Sequence, residues 1–116
     1  MDKETTVADL REIVRQFVSE RDWQQFHAPK NLSMALSIEA SELMEHFQWL
    51  TVEDSRAIHR DAEVISEVAD EMSDIMCYLL ALANELNIDL SDAIRNKMKK
   101  NIEKYPATEY QGRYKK

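Results

Sequence analysis

Two pairs of acidic residues in this sequence share the same spacing. Glu39 and Glu42 are three positions apart, and Glu71 and Asp74 repeat that spacing after 28 intervening residues. On a helix, residues three apart lie on the same side, so each pair presents two carboxylates together. Carboxylate oxygens are the ligands that Mg²⁺ and Mn²⁺ prefer, which makes the four acids candidate metal ligands.

The two acidic pairs have no basic partners nearby in the sequence. No Lys or Arg occurs between Lys30 and Arg56, or between Arg60 and Arg95. A solvated helix flank with salt bridges therefore fits poorly, and like charges gathered between helices cost several kcal/mol unless a cation neutralises them. A di-iron site also fits poorly, because neither His46 nor His59 follows a Glu by three positions.

The elements that must position these acids are helical. Apolar periodicity and capping signals predict a first helix over about 6–22, a second from Pro29 to about Trp49 and a third over about 61–85. A fourth helix, capped by Ser91, ends before Pro106 because proline cannot continue it. We predict an all-α, four-helix-bundle-like domain over residues 1–106, followed by a polar, irregular tail over 107–116.

Composition excludes several classes of protein. The 116 residues carry a net charge of −7, which argues against nucleic-acid binding, and the single glycine leaves no glycine-rich phosphate loop. Cys77 is alone, so disulfides and a cysteine-built zinc site are excluded. The longest apolar run, residues 75–83, is too short to span a membrane, and the polar start is not typical of a signal peptide, so we expect a cytoplasmic protein.

The four acids and the residues around them resemble the MazG-like all-α nucleoside triphosphate pyrophosphohydrolases, in particular the dCTP pyrophosphatase branch. The resemblance extends over about residues 10–106 and departs from many relatives at Ile38, where a further Glu is common. Its segments are Arg21-Asp22-Trp23-x-Gln25-Phe26-His27-x-Pro29-x-Asn31-Leu32, Glu42-Leu43-x-Glu45-x-Phe47-Gln48-Trp49, Asp74-x-x-x-Tyr78-Leu79 and Lys97-Met98-x-x-Asn101-x-x-Lys104-Tyr105-Pro106.

The resemblance implies hydrolysis of a (deoxy)nucleoside triphosphate to the monophosphate and pyrophosphate. It also implies a role in nucleotide-pool house-cleaning. It makes Glu39, Glu42, Glu71 and Asp74 ligands of Mg²⁺, with Mn²⁺ as an alternative, and gives Glu39 or Glu42 the further role of orienting the attacking water. It also implies a homo-oligomer, with a tetramer of two dimers expected. The substrate-binding residues that it implies are His27, Trp49, Tyr78, Lys97, Asn101, Lys104 and Tyr105.

Other interpretations of these residues remain open. Tyr78 shares the acidic stripe but also fits a half-buried core position, and the basic stripe on the fourth helix also fits a solvated helix end. The competing function is a non-catalytic helical interaction module whose acidic stripes bind a basic partner.

Overall fold

Helices make up the regular structure of residues 1–114, which are the residues described by the computed structural model. The chain divides into two compact units, Met1–Leu86 and Asn87–Lys116. None of the described helices is both long enough and apolar enough to cross a membrane. The prediction of an all-α chain is confirmed.

The first unit contains four helices and two single 3₁₀ turns. The 3₁₀ turns cover Gln24–Phe26 and Ile58–Arg60. The helices are α1 (Val7–Glu20), α2 (Pro29–Glu45), α3 (Val52–Arg56) and α4 (Ala62–Leu86).

The starts of these helices follow from local sequence. Thr6 and Asp9 form a capping box at α1, in which each side chain accepts a hydrogen bond from the other residue's backbone N–H. Pro29 occupies the first turn of α2. The N–H groups of a first turn have no acceptor within the helix, so a proline there costs no helical hydrogen bond. Thr51 caps α3 by accepting a hydrogen bond from the Asp54 N–H.

The second helix ends earlier than the sequence predicts. We expected it to continue to about Trp49, but α2 ends at Glu45. Beyond this residue the backbone tightens into turns in which the N–H groups of Phe47 and Leu50 donate to carbonyls three residues back. Aromatic residues continue the apolar pattern through this turn, which is why periodicity alone extends the helix too far.

The small core of the first unit lies where α1 and α2 pack against α4. Its buried side chains come from all three helices and are Val14, Val18, Leu32, Val68, Leu80, Ala81 and Ala83. At the α1–α4 contact, the Asn84 Oδ1 accepts from Arg11 Nε at 2.9 Å, and the Asn84 Nδ2 donates to the Arg11 carbonyl at 3.2 Å. This pairing fixes the register of α1 on α4.

Many large apolar side chains of the first unit remain exposed. They occur at helical spacing on two elements, at Met34 and Ile38 of α2 and at Met72, Met76 and Leu79 of α4. An apolar stripe of this length on α4 is typical of a surface that another protein chain covers.

The second unit consists of α5 (Leu90–Lys104) and the short α6 (Ala107–Tyr110). The predicted cap at Ser91 is wrong, because Asp89 caps α5 by accepting from the Asp92 N–H at 2.9 Å. The prediction of an irregular tail over 107–116 is also wrong in part, because Ala107–Tyr110 form α6 directly after Pro106. The last two positions of that predicted tail, 115 and 116, lie outside the described residues.

Candidate functional site

Three of the four predicted acids meet between α2 and α4. One carboxylate oxygen each from Glu39, Glu42 and Glu71 lies within 4.8 Å of the others. Glu39 and Glu42 lie one turn apart on α2, and Glu71 projects from α4, so the packing of the two helices brings the carboxylates together. The arrangement supplies three oxygen donors at one place.

Two oxygens of this cluster are buried and have no partner. Glu39 Oε2 and Glu71 Oε2 are inaccessible to solvent and make no hydrogen bond within the described chain. Buried polar atoms are rarely left without a partner, and within residues 1–114 no ion pair joins these acids to Lys or Arg. A hard divalent cation is the group that this donor set fits.

The carboxylates also shift each other's proton affinity. Burial, together with the neighbouring carboxylates of Glu42 and Asp74, raises the pKa of Glu39 from 4.5 to about 7. Burial likewise raises the pKa of Glu71, with Glu42 adding to the effect and His46 opposing it. The cluster therefore favours either a bound proton or a bound cation.

Asp74 lies beside the three-acid cluster rather than within it. Its charge contributes to the raised pKa of Glu39 and, after burial, to the raised pKa values of Cys77 and Tyr78. Asp74 also lines a neighbouring cavity, so it is the residue common to the acids and the cavity.

The cavity has a volume of about 430 Å³ and is bounded by α1, the connector that follows it and α4. Phe17 and Trp23 form one wall, with ring centroids 5.6 Å apart in an edge-to-face arrangement. The predicted residues His27 and Tyr78 line this space, together with Cys77 and four aliphatic side chains. Flat apolar walls with a few polar groups are typical of sites that bind a planar ring.

Trp49 is not among the residues that line this cavity. It lies in the turn after α2, and 87% of its surface is exposed. Trp23 occupies the cavity wall instead, and in the sequence it belongs to the segment Arg21–Leu32 that carries the family resemblance.

The remaining predicted binding residues belong to the second unit. Lys97, Asn101 and Lys104 lie on α5, and Tyr105 is its C-cap. The Lys104 Nζ is 5.3 Å from the centre of the Tyr105 ring, and the Asn101 amide donates to Met98 Sδ at 3.7 Å. Both lysines have exposed side chains.

His46 is a neighbour of the acids that sequence reasoning set aside. Its ring nitrogens lie 3.9 Å from Glu67 Oε2 and 4.0 Å from Glu71 Oε1. The signal that could have found it is its position seven residues after Glu39 and four after Glu42, which continues their side of the helix.

Comparison with known proteins places these features in a family. The MazG-like family model matches residues 34–116, a segment that includes all four acids. The chain is 40% identical over 104 residues to dCTP pyrophosphatase 1 from Homo sapiens and 39% identical over 103 residues to that from Mus musculus. These matches cover 90% and 89% of the chain but 61% of each relative, so the chain spans about three fifths of their length.

A solved structure is similar in both sequence and fold. The crystal structure of a pyrophosphatase from Archaeoglobus fulgidus superimposes with a TM-score of 0.77 at 39% identity, covering 85% of this chain and 91% of the other. The chain belongs to the MazG-like family. The resemblance found in the sequence is confirmed.

The raised Glu39 pKa predicts a pH-dependent stability of the metal-free protein. Below about pH 4.5 Glu39 is protonated whether folded or unfolded, and between 4.5 and about 7 only the folded state keeps the proton. Its contribution to stability therefore declines as the pH rises through this window and is lost above about 7. With chelator present, we expect the melting temperature of the parent to fall more between pH 5 and pH 8 than that of Glu39→Gln.

The matched control is Glu45→Gln, which changes an exposed carboxylate on the same helix and should keep the parent's pH dependence. Parallel melting profiles for the parent and Glu39→Gln would contradict the proton-binding cluster.

Proposed function

We propose that this protein is a divalent-metal-dependent nucleoside triphosphate pyrophosphohydrolase. It hydrolyses a deoxynucleoside triphosphate to the monophosphate and pyrophosphate, using Mg²⁺ or Mn²⁺ held by the cluster of Glu39, Glu42 and Glu71 and by Asp74, which lies beside that cluster. The observation that carries the proposal is the half-buried carboxylate cluster, in which two buried oxygens have no hydrogen-bond partner among residues 1–114. Its place in a MazG-like chain, beside a cavity suited to a planar ring, supports the same conclusion.

The acids perform two tasks in this proposal. When bound, the metal neutralises phosphate charge and makes a coordinated water nucleophilic. The pKa of Glu39 in the metal-free cluster is about 7, and a cation held there would compete with the proton that Glu39 binds below that pH. Glu39 or Glu42 also orients the attacking water, so no nucleophilic side chain is needed.

The cavity supplies base recognition. Trp23 and Phe17 offer an aromatic wall, and His27 and Tyr78 offer hydrogen-bonding groups for the edge of a base. Asp74 connects this cavity to the acids, so a bound base places its triphosphate toward the metal. The resemblance supports a dCTP-like substrate, with dATP or a modified base as alternatives.

Further substrate contacts are proposed from the resemblance. Lys97, Asn101 and Lys104 recur at one side of α5, where cationic and amide groups suit phosphate oxygens. We assign the same class of contact to Tyr105 and a stacking role to Trp49.

The first prediction from the proposed function concerns the reaction products and their dependence on metal. With Mg²⁺, we expect pyrophosphate and a monophosphate as primary products from a deoxynucleoside triphosphate. Glu42→Gln should lose at least about 100-fold in turnover, since it removes a ligand and one charge, while its metal-free form melts at or above the parent temperature. The measurements are product chromatography and melting curves with chelator and with Mg²⁺.

Glu45→Gln is the control and should keep full turnover. Orthophosphate and a diphosphate as primary products would refute the proposed reaction. An active, Mg²⁺-indifferent Glu42→Gln would favour the alternative of a module that binds a basic partner.

The second prediction concerns base selectivity. His27→Ala should raise KM and change the ranking of bases by about tenfold, because His27 contacts the base and not the scissile phosphate. The check is kcat and KM for a panel of triphosphates, with His59→Ala, an exposed histidine on a 3₁₀ turn, as control. A uniform drop in kcat with unchanged KM would rule out this assignment.

The third prediction concerns assembly. We propose that a second copy of the chain covers the exposed apolar stripe of Met72, Met76 and Leu79 on α4. Light scattering at micromolar concentration should give a dimer or tetramer, and Met72→Glu should weaken it by placing a charge in the interface. Ser66→Glu on the same helix is the control, and a monomeric parent would disprove the proposed assembly.

A further inference from the structure

His46 occupies a position between two carboxylates of α4. It is the C-cap residue of α2, and its side chain is only 20% exposed. The Nδ1 atom lies 3.9 Å from Glu67 Oε2, and the Nε2 atom lies 4.0 Å from Glu71 Oε1. The ring therefore faces one acid of the cluster with one nitrogen and a different acid with the other.

The two oxygens of Glu71 have different surroundings. Oε1 is near the imidazole, whereas Oε2 is buried and has no hydrogen-bond partner among residues 1–114. A carboxylate is planar, so an attraction on one oxygen also fixes the direction of the other. His46 thus limits the rotation that would bring Oε2 out of the cluster.

We propose that His46 is a positioning residue of the metal site: its Nε2 side orients Glu71 Oε1, so that Glu71 Oε2 stays aimed at the cation. The proposal rests on the function proposed above. Glu67, exposed to 57% and outside the cluster, lies 3.9 Å from the opposite nitrogen, on the other edge of the ring. Groups that orient metal ligands in this way typically change metal affinity 10–100-fold when removed.

Three substitutions separate positioning from simple packing. Gln places its amide nitrogen near the position of Nε2, Asn places it near that of Nδ1, and Leu fills the space without any donor. If Nε2 orients Glu71, His46→Gln should retain most of the metal affinity, while His46→Asn and His46→Leu should each lose about tenfold or more. A purely structural role would instead rank the variants by size and apolar character, with Leu the best.

The experiment measures Mn²⁺ dissociation constants of the nucleotide-free proteins by electron paramagnetic resonance or calorimetry. His59→Leu is the matched control. The His59 ring contacts the Arg56 carbonyl at 2.9 Å and not the acids, so this variant should bind Mn²⁺ like the parent. Melting curves with chelator verify folding, and the His46→Gln comparison keeps the test decisive if His46→Leu does not fold.

The outcomes distinguish this inference from the function on which it rests. A parent that binds no Mn²⁺ overturns both. A parent that binds Mn²⁺ while all three His46 variants bind it equally, or while His46→Leu binds it better than His46→Gln, overturns the positioning role alone. The ranking His, Gln and then Asn and Leu supports it.

Discussion

The structure depends on one electrostatic constraint, the partial burial of carboxylates between two helices without a Lys or Arg ion pair among residues 1–114 to balance them. Glu39 and Glu71 place oxygens in the α2–α4 contact where solvent does not reach. Such an arrangement is unfavourable for a folded chain, and it persists because the apolar packing of α2 and α4 holds the helices together around it. The repulsion is a local loss of stability that a proton or a cation relieves.

The long helix α4 connects this cluster to the rest of the first unit. Its 25 residues contribute Glu71 to the acids, Asp74, Cys77 and Tyr78 to the cavity, and buried side chains to the core. One helix with a continuous hydrogen-bond ladder fixes the distances among all of these groups. The acids and the cavity therefore lie in a constant register, with α1 held against the same helix through Asn84.

Sequence reasoning succeeded where a periodic signal exists. The apolar spacing and the Thr6 capping box located α1, and the lack of basic neighbours indicated that Glu39 and Glu71 were unusual acids. It failed where competing local hydrogen bonds decide, since both Asp89 and Ser91 are good caps and only the observed backbone selects Asp89. His46 was missed as a site neighbour because its acidic surroundings come from another element, α4, which spacing within one helix does not show.

The acids and the far wall of the cavity lie on different helices, and this separation affects how the sequence can change during evolution. The acids belong to α2 and α4, whereas Ile13, Phe17 and Trp23 form the far side of the cavity from α1 and its connector. Substitutions on that far wall reshape the cavity and leave every carboxylate in place. A lineage can thus alter this cavity by small steps in one region, while inserting one residue within α4 would rotate everything beyond it by about 100° and destroy the alignment of the acids with the cavity.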